Sequence, residues 1–310
     1  WDIAQKVNNE GISVYGVTAW SLLGAFDWNS LLTLENHRYE PGVFDITNNE
    51  LRPTAISSLL QSFSHKNKYD HPLLSQQGWW HYSYKNQKRD NDQHGPNPLI
   101  IVGGNGTLGN AFKKICERRS IPYIAVSRPE YDITKINSFR NLFEKYKPWA
   151  VINATGYVKV DEAEIERDIC YSLNVSAAVS LASLCNQMGI QLMSFSSDLV
   201  FNGDKELPYF ENDKVAPLNF YGFTKAEAEE KIRGHFPHAL VIRSSSFFGP
   251  WDKYNFAYKL IDQLQNKNSF KTANNISVSP TYIPHLVDAS LDLLIDKETG
   301  IWHITNDGNT

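Results

Sequence analysis

The sequence predicts an α/β fold over residues 98 to 310, a doubly wound parallel sheet with helices on both faces. Two observations predict it. Apolar runs of strand length alternate with helical segments, which implies βαβ units joined by right-handed crossovers. The first of those runs ends in a glycine-rich turn that opens a helix, the place where such folds bind a ligand.

Taken in order, the front of the chain reads as a helix from Asp2 to Asn9, a strand GISVYGVTAW, a long loop, and a helix from near Pro53 to about Phe63. One or two βα units cannot close a sheet or bury a sufficient core alone. From residue 65 to 97 the chain is polar, with no apolar period except the aromatic cluster Trp79, Trp80, Tyr82 and Tyr84. It reads as an interdomain connection whose aromatics pack on one neighbour, with a boundary near residue 97. There follow PLIIVGG, a helix from Leu108 to about Arg119, IPYIAVS, a helix from Thr134 to about Lys147, WAVINAT, a long helix from Ala163 to Met188, and IQLMSFSS.

At 310 residues the chain is long enough for two domains. A formal charge of −4 with both signs mixed argues against a nucleic-acid surface. The three cysteines, Cys116, Cys170 and Cys185, fall in helical segments and offer neither a disulfide framework nor a CxxC metal site, so no metal is expected and a cytoplasmic setting fits. No run of about 18 apolar residues predicts a membrane span, and the first residues lack the pattern of a signal peptide. Residue 1 is Trp and the chain stops just after a strand-like run, so a piece of a longer polypeptide is expected.

The run LIIVGGNGTLGNAF places Gly103, Gly104, Gly106 and Gly109 between a buried strand and a helix start. Glycine suits such a turn because the backbone must approach a pyrophosphate held at the helix N-terminus. A plain glycine-rich turn is the bland alternative, but the strand before it and the helix after it are the context that dinucleotide binding requires. At the end of the second strand stand Ser127 and Arg128, where an acidic residue would hold the ribose 2′-hydroxyl of NAD. Arg128 can accept the 2′-phosphate instead, which favours NADPH, with NADH as the alternative.

After the fourth strand, FSSDLVFNG, Tyr221 follows Ser197 by 24 positions, and Lys225 lies one helical turn further. Carbonyl reduction by hydride needs a proton donor at the developing alkoxide. Tyr221 can donate it, Lys225 can bring the phenol toward the operating range, and Ser197 can fix the carbonyl oxygen. YxxxK alone also arises as a surface Lys beside a half-buried Tyr. Together with the glycine loop the coincidence is less easily accidental.

These residues carry a resemblance. Residues 98 to 310 resemble the dTDP-4-dehydrorhamnose reductase family, extended short-chain dehydrogenase/reductases with a Rossmann fold. The matching blocks run in family order: VGGNGTLG, DIT, VINATGYVKVDEAE, LNV, SFSSDLVFNG, PLNFYGFTKAEAE, VIRSSSFFG and SPTYIPHLVDA. The resemblance implies that Ser197, Tyr221 and Lys225 form a catalytic triad. It implies that Gly103, Gly106 and Gly109, with Thr107 and Leu108, hold the pyrophosphate. Asp132 and Ile133 would lie near the adenine, Asn153 and Ala154 would line the cofactor, Tyr221 and Lys225 would also touch it, and Val160, Asp161 and Asp198 would face the substrate. Three positions depart from the family pattern: Ser197 replaces Thr, Leu199 replaces Tyr and Asn202 replaces Asp. The family's closing helices are also missing, so the domain is expected to be incomplete at its C-terminus.

Residues 1 to 64 resemble the end of a family 1 glycoside hydrolase, a β-glucosidase-type barrel, through GVTAWSLLGAFDW, RYEPGVFDI and LRPTAISSLLQSF. Both carboxylates of such an enzyme come from strands this chain does not contain, so no hydrolase activity is assigned. Trp20, Asp27 and Trp28 are read as packing and loop residues. The expected division is a partial β/α-barrel remnant at 1–64, a linker at 65–97 and a reductase domain at 98–310.

The resulting expectation is reduction by NADPH or NADH of the C4 ketone of a dTDP-linked 4-keto-6-deoxyhexose, a step of dTDP-rhamnose biosynthesis. The rivals are an epimerase or dehydratase of the same superfamily and a non-catalytic, cofactor-binding regulatory subunit. The expected partner is the nucleotide sugar, without nucleic acid or membrane, and a homodimer is among the assemblies the family allows.

Overall fold

Short apolar runs rich in Ile, Val and Leu, bounded by turns, suit strands covered on both faces. In the computed structural model they form β1 (Leu99–Val102), β2 (Tyr123–Val126), β3 (Ala150–Asn153), β4 (Gln191–Ser197), β5 (Leu240–Ser244) and β6 (Gly300–His303). The structure describes residues 1–30, 33–47, 50–65, 68–75, 97–249, 252, 255–272 and 276–308. Trp79, Trp80, Tyr82 and Tyr84 lie outside the described residues. The chain divides into two compact units, Trp1–Asp70 and His71–Thr310.

In the second unit the strands pair in the order β2-β1-β3-β4-β5-β6, every pair parallel. Around the sheet lie α1 (Thr107–Arg118), α2 (Ile136–Tyr146), α3 (Arg167–Met188), α4 (Phe220–His235), α5 (Phe256–Gln265) and α6 (Ile283–Ile295). Alternation along the strands sends side chains into two cores. Ile100, Val102, Val151, Leu192 and Val241 pack with α2, α3 and α4. Leu99, Ile101, Ile152, Met193 and Ile242 pack with α1 and α6. The expected doubly wound architecture is therefore present. The chain enters this unit through His71, whose Nε2 lies 3.0 Å from the Ile295 carbonyl, and Leu73 packs on the α1/α6 side.

Two helices start later than the sequence pattern predicts. The Asp132 carboxylate accepts the N–H and hydroxyl of Thr134 at 3.0 and 2.8 Å, a side-chain turn that holds residues 132–134 outside α2. The long helix expected from Ala163 begins at Arg167. Residues Glu162–Glu164 form a separate 3₁₀ turn, because Glu164 is bonded to the start of α4 instead. Inside α3, Ser172–Ala177 make a π turn. Among the described residues α3 is the one helix long and apolar enough to cross a membrane. Here it is a core helix, with Val175, Ala178, Leu181, Ala182 and Cys185 all buried against the sheet.

The first unit has helices at Asp2–Asn9 and Ala55–Ser64, as expected. Residues 11–20, expected as a strand, form none: a parallel barrel strand needs neighbours on both edges, and this stretch lies open, with Tyr15 97% exposed. Among the described residues of this unit, sheet structure consists of two antiparallel pairs of two residues each, Ala25–Phe26 with Tyr39–Glu40 and Phe44–Asp45 with Arg52–Pro53, and a single parallel bridge between Leu23 and Phe44. The buried Asp27 carboxylate accepts the backbone N–H groups of Asn36, His37 and Arg38, so it organises a loop.

Leu181, fully buried on α3, is a test of how far the core of the second unit supports the fold. Leu181→Ala is expected to lower stability by about 2–5 kcal/mol, read as a shift of the urea midpoint followed by circular dichroism.

Candidate active site

In an open parallel sheet, ligands bind beyond the carboxyl ends of the strands where the strand order reverses, here between β1 and β3. The glycine loop leaves β1 at that point. Gly103 has φ +88°, and a Cβ there would meet the Ala154 carbonyl oxygen and Thr155 Cγ2, both at 2.8 Å. A Cβ on Gly109 would fall on the Gly103 carbonyl, so α1 can pack on its own loop only with glycine at that position. Gly106 is the N-cap of α1 and carries no side-chain cap. The first helical bond runs from Asn110 N–H to the Gly106 carbonyl, which leaves the N–H groups of Thr107, Leu108 and Gly109 at the open end of the helix. These are the features an anion such as a pyrophosphate requires. Leu108 itself is buried among the core side chains, so it can offer a ligand only its backbone.

The remaining predicted cofactor residues fall around this loop in different ways. Asn105 donates to the Ser127 hydroxyl at 2.8 Å and ties the loop to the end of β2, where Arg128 is exposed. Asp132 is held below the usual carboxylate range, first by its bond from the Thr134 N–H. Ile133 is buried in the core, and Ala154 stands against Gly103. Asn153 is buried: its amide points at the Ser194 hydroxyl at 3.4 Å, and its oxygen accepts from Thr155 N–H and Oγ1 at 3.2 and 2.6 Å. Its side chain therefore shapes the floor of the crevice.

The chemistry-bearing residues follow β4. Ser197 ends the strand and donates to the Asp198 carboxylate at 2.9 Å, while Ser245, after β5, donates to the other oxygen of Asp198 at 2.5 Å. Asp198 is thereby fixed between two hydroxyls. Tyr221, half-buried in the first turn of α4, has its phenol pushed well above the ordinary tyrosine value, by burial first and then by the Asp198 carboxylate; a hydrogen bond with Ser197 acts the other way. The phenol is held protonated, the state a proton donor needs. Lys225 Nζ lies 5.8 Å from the Tyr221 ring centroid and donates to the Phe195 carbonyl at 2.9 Å. Burial brings its ammonium from the ordinary 10.5 down to about 8. In this structure the ammonium is turned to that backbone carbonyl.

Several residues that the sequence did not single out hold this arrangement. Asn219 caps α4 by accepting the Gly222 N–H at 2.7 Å, and Glu164 accepts the Phe220 N–H at 2.6 Å. A Cβ on Gly222 would strike the Leu199 carbonyl, so the first turn of α4 lies directly on the chain after β4. Asn174, carried by the π turn, accepts from the Tyr157 N–H at 2.8 Å and donates to the Tyr157 carbonyl and to Thr224 Oγ1 at 3.3 and 3.0 Å. It locks the loop after β3 to α4 beside Lys225. Only the LNV block hinted at Asn174. Val160 is half-buried and Asp161 exposed at the start of the 3₁₀ turn that reaches α4 through Glu164. Of the departures, Asn202 accepts from the Tyr209 hydroxyl at 2.9 Å and serves a loop, while Leu199 is half-buried next to Asp198.

Residues 97–310 match the family described as RmlD substrate binding domain. The spore coat polysaccharide biosynthesis protein SpsK of Bacillus subtilis (strain 168) is 30% identical over 210 residues, covering 68% of this chain and 74% of that protein. A dTDP-4-dehydrorhamnose reductase of Aggregatibacter actinomycetemcomitans is 30% identical over 216 residues, covering 67% of this chain and 73% of that one. Among solved structures, dTDP-4-dehydrorhamnose reductase from Bacillus anthracis str. Ames in complex with NADP aligns with a TM-score of 0.66 at 27% identity, over 69% of this chain and 76% of that chain.

Two outcomes are expected from this geometry. Gly109→Ala should weaken dinucleotide binding at least about tenfold while the far-ultraviolet circular dichroism stays unchanged, because its Cβ displaces the loop backbone. An unfolded lysine keeps its proton up to about 10.5, whereas folded Lys225 releases it near 8. Between those values the unfolded state binds more protons, so this group makes stability rise with pH, and urea midpoints at about pH 8 and about pH 9.5 check the sign.

Proposed function

We infer the activity from kinship: the chain belongs to the RmlD substrate binding domain family. It is an NAD(P)H-dependent oxidoreductase that reduces the C4 ketone of a dTDP-linked 4-keto-6-deoxyhexose, as its relatives named dTDP-4-dehydrorhamnose reductase support. The activity belongs to residues 97–310. NADPH is the preferred cofactor, supported by Arg128 at the end of β2 and by the NADP in the Bacillus anthracis structure. The three cysteines are buried and unbridged, which supports the reading of a cytoplasmic enzyme.

The observation that carries the mechanism is the convergence of Ser197, at the end of β4, and Tyr221, in the first turn of α4, with Asp198 held beside them. The loop from Gly103 to Gly109, with the open N-terminus of α1, fits a pyrophosphate, and a side chain at Gly103 or Gly109 would strike neighbouring backbone and displace that loop. When bound, the cofactor supplies hydride to the carbonyl carbon. Ser197 turns its one hydroxyl proton from Asp198 to the carbonyl oxygen when the substrate binds and fixes that oxygen's place. Tyr221 hands its proton to that oxygen as negative charge develops on it, and Lys225, as an ammonium, stabilises the phenolate left behind. Asp161 and Asp198 stand to accept hydrogen bonds from sugar hydroxyls.

Tyr221→Phe is expected to lower kcat/KM for NADPH oxidation with a dTDP-4-keto-6-deoxyhexose by about 10²–10⁴-fold, with NADPH binding retained. In the native enzyme kcat/KM is expected to fall above about pH 8, where Lys225 loses its charge. Turnover within a factor of a few of the native chain in Tyr221→Phe would remove the phenol from the role of acid.

A further inference from the structure

Lys225 borders a second space besides the crevice it shares with Tyr221. Inside the domain lies a polar chamber of about 10 Å³, lined among others by Asn153, Ser194, Ser196, Lys225 and Glu229. That is room for about one water. Ser196 Oγ is buried there and has no hydrogen-bond partner among the described residues. Glu229 follows Lys225 by one helical turn on α4, which puts both on one face. Glu229 is 4% exposed, and its carboxylate is fixed by Arg243 of β5, through Nε at 2.9 Å and Nη2 at 2.6 Å.

Desolvation drives a buried ammonium to release its proton, and a buried carboxylate nearby opposes that. The titratable groups that face Lys225 are Tyr221 and Glu229 from α4 and Cys170 from α3, with Arg243 behind Glu229. Of these, Glu229 is the largest influence that favours the charged lysine. Arg243 also points at the Glu211 carbonyl at 3.2 Å and lies over the Phe201 ring, so it is anchored independently of Glu229.

We propose that Glu229 is a positioning residue of the reaction, whose buried carboxylate, fixed by Arg243, borders the same one-water chamber as Lys225 and keeps its ammonium charged. Glu229 touches neither substrate nor cofactor and acts through Lys225. The inference rests on the reductase reading, in which Lys225 must be a cation.

The test titrates Lys225 directly in the full chain without cofactor, by carbon NMR of labelled lysine side chains, with Lys225→Met used to assign the signal. Alongside it, the pH profile of kcat/KM is measured with NADPH and the dTDP-keto sugar. Glu229→Gln should lower the Lys225 midpoint by about one pH unit, a tenfold loss of proton affinity, and move the alkaline limb of the profile down equally. Glu229→Asp, which keeps the charge, should restore most of both. If Glu229→Gln does not fold, the pair Glu229→Met with Arg243→Met removes both charges with apolar groups of similar size. It should give a shift of the same sign, smaller because a cation is lost as well. An unmoved Lys225 midpoint in a folded variant overturns the proposal, even in an active enzyme. A midpoint that moves in a chain without turnover overturns the reductase reading and leaves the coupling of Glu229 to Lys225 standing.

Discussion

The chemistry of this protein depends on how closely the first turn of α4 lies on the backbone that leaves β4. Gly222 touches the Leu199 carbonyl, and two side chains, Asn219 and Glu164, satisfy N–H groups of that turn. An acidic group at a helix N-terminus is favoured by the helix dipole as well as by its hydrogen bond. With the turn fixed, Tyr221 is delivered to Ser197, and Lys225 and Glu229 follow on the same face without further adjustment. The strands contribute the complementary surface: Ser197 and Ser245 leave neighbouring parallel strands at the same level and hold Asp198 between them.

Buried charge is the second theme. Arg243 and Glu229 form an ion pair with side chains 4% and 5% exposed, and Lys225 lies nearby, also buried. Such groups seldom stabilise a fold relative to apolar replacements, because the desolvation of each ion is costly. Their retention in the centre of the domain makes sense where a charge has work to perform. Arg243 also joins β5 to the segment after β4: it bonds the Glu211 carbonyl and meets His303 Nε2 at 3.2 Å, while Glu211 accepts the His303 N–H. The ion pair and the loop at 201–213 thus form one connected polar structure.

Much of the fold was legible because parallel strands covered on both faces leave unbroken apolar runs, as in LIIV and AVIN, and because glycine marks close backbone approaches. Ser197, Tyr221 and Lys225 could be found by spacing because they lie on a strand end and a single helix. Asn174, Glu164 and Ser245 could not: their partners are 17 to 56 positions away in sequence, and nothing local reveals which of many Asn, Glu or Ser residues the topology brings in. The π turn was equally hidden, since its residues carry ordinary helical side chains. The misreading of residues 11–20 had the opposite cause. Their apolar, β-branched composition fits a strand, but a strand is completed by neighbours, and a stretch of sequence does not carry its neighbours with it.

The π turn at Ser172–Ala177 sets a limit on how this chain can change. A π turn is a helix that has absorbed one surplus residue. Removing a single residue there would restore regular winding at little local cost and leave the flanking turns facing as before, because the wide turn is what takes up the surplus residue. Leu181 and Cys185 would keep their seats against the sheet, while Asn174, carried by the wide turn itself, would turn away from Tyr157 and Thr224. The segment is therefore intolerant of length change in a way that composition does not reveal: substitutions along its outer face cost little, but the count of residues between Cys170 and Leu181 is itself part of the site.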